Sequence, residues 1–273
     1  MHPAERFTAP ASIETGTPLK LLLNRRAVAL IAESFVDAVP GFARSTFVRQ
    51  ANAGLDDLEL KQRAAHIAHV LATHLSSDPA TAAQQLIASL GPELSMSAGN
   101  GLKPFFYLPH SAFIHAHLRD WDAGMAANEA ITRRFSAEFS IRPFLIREQA
   151  RTLKHLRTWT THPNAHVRRL VSEGTRPRLP WAERLPGLVR DPTPVLPLLD
   201  VLVDDVDLYV RRSVANHIGD IAKDHPAVAF AQCARWLRKP TRERCWVVRH
   251  AVRHPAKQGI TEAIDLRKKA GGR

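Results

Sequence analysis

Residues 204–226, DDVDLYVRRSVANHIGDIAKDHP, contain a helix start, a helix with two unlike faces and a stop signal. Asp205 and Asp207 are placed to accept backbone N–H groups at the N-terminus, and His225-Pro226 closes the run. Between them Val210, Val214, Ile218 and Ile221 recur at helical spacing and form an apolar stripe. Arg212, Asn216 and Asp220 stand four residues apart in succession, so a cation, an amide and a carboxylate line up along a second, polar face. That row is either a solvated face laced by an Arg–Asp ladder or the lining of a site.

The same pattern recurs on both sides. THPNAHVRRLVSEGTR (161–176), DDVDLYVRRSVANHIGD (204–220) and RERCWVVRHAVRHPAKQ (242–258) each place a Val-Arg pair early in a helix. The valines, Val167, Val210 and Val248, lie 43 and 38 residues apart, near the period of HEAT or armadillo repeats. Upstream, helical patterns follow one another through short turns from Leu21 to Arg134, with no alternating run that would make a strand. The fold class expected is all-α, a HEAT-like α-solenoid with one concave face. Residues 1–18, rich in Pro, Thr, Ser and Ala, read as a disordered tail, 19–260 as a single domain, and 261–273 as a basic C-terminal tail.

In such a stack Arg168, Arg169, Arg211, Arg212 and Arg249 recur on one side. They either follow nucleic-acid phosphates or bond the acidic turn of a neighbouring repeat and hold the stack together. Between the first two repeats, GTRPRLPWAERLPGL interleaves Arg176, Arg178 and Trp181 with prolines that stiffen the connection. Trp181 either packs locally as core or presents its face to a cationic group. Further upstream, Ser136 is expected to cap a helix whose first turn holds Glu138, where a carboxylate favours the dipole.

Charge is distributed unevenly. The net charge is +12, with residues 1–132 holding 10 Lys and Arg against 12 Asp and Glu, and residues 133–273 holding 28 against 14. A half that is +14 attracts a polyanion, nucleic acid first. No apolar run of membrane-spanning length occurs, and no membrane partner is expected. Cys233 and Cys245 are too few for a disulfide framework or a cysteine zinc site, and the N-terminus lacks a secretory pattern, so a cytoplasmic protein is expected. His250 and His254 are four apart without the glutamate of a zinc-protease helix, and HIAH at 66–69 reads as structural. Phosphate loops, nucleophile elbows and cysteine-nucleophile motifs are missing, and neither metal nor cofactor is expected.

Four of these segments, GLDDLELKQRAAHIA (54–68), RRFSAEFSIRPFL (133–145), GTRPRLPWA (174–182) and YVRRSVANHIGDIAKDHP (209–226), resemble in matching order the DNA alkylation repair glycosylases of the HEAT-like AlkC/AlkD superfamily, AlkC branch. The resemblance runs from about Leu19 to about Pro255. It implies hydrolysis of the N-glycosidic bond of positively charged alkylated bases, 3-methyladenine foremost and 3-methylcytosine with it, in double-stranded DNA. It implies Glu138, Trp181 and Asp220 as the active-site residues. From their place in the basic repeats, Arg168, Arg169, Arg176, Arg178, Arg211, Arg212, Asn216 and Arg249 are expected toward DNA. A monomer without the immunoglobulin-like domain of some relatives is expected. The competing expectation is a non-catalytic HEAT-repeat protein that binds DNA or acts as a scaffold.

Overall fold

A computed structural model describes residues 1–272. Among them are seventeen α-helices, four 3-10 turns and no strand. Among the described residues no helix is long and apolar enough to cross a membrane. The chain divides into two compact units, Met1–Ile141 and the remainder from Arg142, where the sequence pattern suggests one domain.

The first unit holds α1 (Pro3–Arg6), α2 (Arg25–Ala38), α3 (Arg44–Asn52), α4 (Leu60–Ala72), α5 (Pro79–Ala88), α6 (Leu108–His117) and α7 (Trp121–Thr132). Helix α4 packs on α6, α5 on α7, and α2 on α3, around Ile31, Phe35, Phe47, Ile67, Leu71 and Phe106. The expected tail is ordered at its start. His2 caps α1, receiving Ala4 N–H at 3.1 Å while Glu5 accepts from the His2 amide at 2.7 Å, and Phe7 is buried 5.5 Å from the Phe106 ring. One buried aromatic is enough to anchor a short segment, and composition alone gives no notice of it.

The second unit contains α8 (Arg142–Arg147), α9 (Gln149–Trp159), α10 (Ala165–Gly174), α11 (Pro186–Arg190), α12 (Leu196–Leu202), α13 (Leu208–Asp224), α14 (Pro226–Trp236), α15 (Arg242–Ala251), α16 (Arg253–Lys257) and α17 (Thr261–Lys269). Helices α10, α13 and α15 pack in succession, α10 on α13 and α13 on α15, with α12 and α14 beside them. Val167, Val210 and Val248 are fully buried, as is the stripe through Val214, Ile218 and Ile221. This is the stacking of an α-solenoid. The terminal stretch 261–273, expected as a basic tail, forms α17 through residue 269, because Ala263 and Leu266 are buried, with α17 packed on α14 and α15.

Each stacked helix starts on a polar cap. Asn164, Asp207 and Thr241 accept from the amides of His166, Tyr209 and Arg244 at 2.9, 2.8 and 3.0 Å. Three or four residues further along, an arginine folds back to the carbonyl five residues before it. Arg168 reaches Pro163 at 3.0 Å, Arg211 reaches Val206 at 3.1 Å and Arg244 reaches Lys239 at 3.2 Å. Arg63, four residues into the first unit's α4 after its cap Glu59, does the same to Leu58 at 2.8 Å. By this landmark Arg244, not Arg249, is the counterpart of Arg168 and Arg211. The third Val-Arg pair therefore sits one turn deeper than the valine spacing suggests.

Candidate active site

The centre of the second unit's polar chemistry is Asp220, two turns of α13 beyond Arg212. The polar face expected there is not uniformly solvated: Arg212 is exposed, Asn216 is half-buried and Asp220 is only 3% exposed. Burying a carboxylate is costly unless it is paired and hydrogen-bonded. Asp220 meets that requirement twice. Arg176 Nε donates to one oxygen at 2.7 Å and Lys223 Nζ to the other at 2.9 Å. Arg176 is buried, whereas Lys223 extends into solvent with 61% of its side chain exposed.

Arg176 is shared with a second buried carboxylate that the sequence reading did not single out. Its Nη1 donates to Glu173 at 2.6 Å; Glu173 also accepts from the Ser213 hydroxyl at 2.6 Å and faces Arg169 at 3.3 Å. Burial alone would raise the Glu173 pKa; the guanidiniums of Arg169 and Arg176 and the Ser213 hydroxyl outweigh it and hold the group below the ordinary carboxylate range. Burial would likewise lower the Arg176 pKa, and Glu173 and Asp220 together raise it instead. Both partners therefore stay charged. His217, fully buried one turn before Ile221, stands 3.0 Å from the Ser172 carbonyl through Nδ1, and burial with the nearby Arg176 charge lowers its pKa to about 4.

Arg176 also begins the connection that carries Trp181. This loop is fastened to α13 at two places, through Arg176 to Asp220 and through Arg178, whose Nε and Nη2 meet Asp224 at 2.5 and 2.7 Å. Trp181 is 56% exposed, so it is not local core. Its φ of 66° is the only positive value outside glycine among the described residues, in a region that a residue with a Cβ enters at a cost of about 1–2 kcal/mol. The loop is further held by Arg142, which donates to four of its backbone carbonyls. Neither Glu173 nor Arg142 was expected. The i,i+3 Glu-Arg spacing of 173 and 176 is the signal that was available for the former.

Glu138 belongs to the first unit. It lies in a turn, not in the helix expected from Ser136, because α8 starts only at Arg142. Ser136 still serves it locally: the hydroxyl donates to the Glu138 carboxylate at 2.8 Å and accepts from the Glu138 amide at 3.3 Å. The turn is held by Ser140 to Asn128 at 2.6 Å, Ala137 N–H to Thr132 at 3.3 Å, and His115 against the Phe139 carbonyl at 3.2 Å.

The remaining cations are mostly engaged within the stack. Arg168 makes a two-pronged contact with Asp205 at 2.6 and 2.9 Å, joining one repeat to the next turn. Arg211 reaches the carbonyls of Asp205 and Val206, and Arg249 that of Ala270. Arg169 lies over the Tyr209 ring, 5.1 Å from its centroid. Asn216 faces His250 Nε2 at 3.2 Å and Arg253 Nη2 at 3.1 Å, and His250 stacks on Trp246 at 5.0 Å. Arg212 is exposed and has no ion pair among the described residues.

Fold and site together define a helical-repeat protein whose basic unit holds a buried carboxylate–guanidinium centre, tied through Arg176 to a loop that carries an exposed tryptophan. The chain is similar in structure to the Pseudomonas fluorescens alkylpurine DNA glycosylase AlkC, solved bound to DNA containing an abasic site analog, with a TM-score of 0.81 and 37% identity over 92% of this chain and 67% of that one. It is also 42% identical over 149 residues to the uncharacterized protein YhaZ of Bacillus subtilis (strain 168), a match that spans 55% of this chain and 42% of YhaZ. No family model matches. The chain belongs to the AlkC family.

Proposed function

We propose that the protein is a monofunctional DNA N-glycosylase that removes cationic alkylated bases, 3-methyladenine and 3-methylcytosine, from double-stranded DNA, acting as a monomer and without a cofactor. The observation that carries this reading is the likeness over 92% of the chain to an alkylpurine glycosylase solved on abasic-analogue DNA. The chemistry of the second unit agrees with it. A cationic base is already a good leaving group, so the demand falls on the sugar, which acquires oxocarbenium character as the bond stretches. Fixed negative charge aimed at that cation, with a water it can orient, is the most useful contribution. The Asp220 carboxylate is held in place by Arg176, and its second partner is an exposed lysine. The Trp181 ring offers a π-face to a positively charged nucleotide. Arg212, exposed at the solvent end of the same α13 face, takes a phosphate.

Incubation with duplex DNA treated with a methylating agent tests the reading. Released 3-methylated bases and alkali-labile abasic sites are expected; wild-type protein that binds the duplex and releases nothing would establish the scaffold alternative instead.

A further inference from the structure

We propose that Arg142 is a positioning residue of the site: its guanidinium fixes the loop that presents the Trp181 ring and, through Arg176 on the same loop, the Asp220 carboxylate. Arg142 is 0% exposed. Its Nε donates to the Glu183 carbonyl at 2.6 Å, Nη1 to those of Gly174 and Arg176 at 3.1 and 3.0 Å, and Nη2 to that of Pro177 at 3.5 Å. The acceptors bracket Trp181, three before it and one after.

The loop needs such a device. Pro177 and Pro180 have no N–H to give. The backbone bonds within it are few and long, Ala182 to Leu179 at 3.3 Å and Leu185 to Pro177 at 3.2 Å. Trp181 nevertheless occupies the left-handed region at φ 66°, and such a conformation persists only where the surroundings over-determine it. A planar guanidinium with five N–H donors can hold several carbonyls in fixed relative positions, which the point charge of a lysine cannot do. Two of the four acceptors, Gly174 and Arg176, flank the backbone from which the Arg176 side chain leaves for Asp220, 2.7 Å away. Arg142 thereby aligns both groups through the loop backbone.

The inference rests on the proposal that Trp181 and Asp220 act on the nucleotide, and the test separates the two. Single-turnover excision from methylated duplex is measured for Arg142→Lys, Trp181→Ala and the double variant, alongside binding to abasic-analogue DNA. Arg142→Lys is expected to lower the excision rate about 100-fold, with binding to the analogue changed by less than about twofold. In the Trp181→Ala background the same substitution should cost less than in the wild type, the remainder being what Arg142 exerts through Arg176 on Asp220; equal losses in both backgrounds would overturn the proposal. Hydrogen exchange provides the second measurement. The amides of Ala182 and Leu185 should exchange at least about tenfold faster in Arg142→Lys, or in Arg142→Gln if the lysine variant does not fold, while amides of α13 keep their rates. Unchanged loop amides would overturn it; should both variants fail to fold, the same two amides of the wild type decide, protection supporting the proposal and exchange at the rate of open peptide overturning it. Should the wild type excise nothing, the glycosylase reading fails while the exchange result still decides whether Arg142 holds the loop.

Discussion

The proposed function gives the contact between Asp220 and Arg176 a part in chemistry beside its part in stability, and substitutions at the two positions separate the uses. Asp220→Asn keeps a side-chain oxygen to accept from Arg176 or Lys223, so folding and DNA binding are expected to survive, while the loss of charge opposite the sugar lowers excision at least about 100-fold. Near-wild-type excision by this variant would show that the carboxylate has been assigned wrongly. Arg176→Met does the opposite damage. It strands Glu173 and Asp220, both buried, without the guanidinium they share, and removal of one partner from a buried pair costs about 3 kcal/mol. Calorimetry should register that as a fall in Tm of roughly 6–12 °C. Which partners a residue has is the part hardest to see in a sequence. Asp220 and Trp181 were found through motif resemblance, whereas Arg142 was passed over because its acceptors are backbone carbonyls, and every residue type has one.

Helix starts and stops were far more legible, because capping is a local contact between near neighbours. Asp205 and Asp207 accept from the amides of Asp207 and Tyr209 at 2.9 and 2.8 Å, α13 ends at Asp224, and Pro226 begins α14, as the sequence indicates. Asp207→Ala should therefore lower stability by about 1 kcal/mol, read as a shift of the urea midpoint at unchanged m-value. Periodicity also located the three stacked helices, yet it aligned the third one a turn out of step, since Val248-Arg249 matches the earlier pairs by letter and Thr241 with Arg244 matches them by contact. For the arginines, sequence could pose the choice between phosphate and stack but not resolve it, because Asp205 lies 37 positions from Arg168. At Ser136 the local rule misled: the hydroxyl does bind Glu138, but in a turn, and the next helix waits until Arg142.

At the level of the whole chain, two buried histidines make stability depend on pH. His110 in the first unit is enclosed by Phe35, Phe106 and Tyr107, and burial depresses its pKa to about 3; His217 in the second is depressed to about 4. Both folded values lie below the unfolded 6.5, so the unfolded chain takes up more protons. Their contribution is whole above pH 6.5 and is lost as pH falls toward 4 and then 3. Each histidine alone sets a slope of roughly 1.4 kcal/mol per pH unit in that window. Thermal melts between pH 7 and 5 should show the decline, and His110→Phe should flatten it. DNA binding by the basic half should in turn weaken steeply with salt, and Arg212→Ala should reduce the slope of log K against log salt by about one, measured by fluorescence anisotropy.

The arginines that fold back to a carbonyl five residues earlier have a bearing on how the chain matures. Arg168, Arg211 and Arg244 each find that acceptor in peptide already made, so a nascent chain leaving the ribosome can close these loops as soon as the arginine emerges. Arg142 is the reverse case: the carbonyls by which it fastens the tryptophan loop lie 32 to 41 residues ahead, so those bonds cannot form until that loop has been synthesised. Repeat helices can thus close their first turns as they emerge, while the loop around Trp181 is fastened to Arg142 only once Glu183 has been made, and its tie to Asp220 waits for α13.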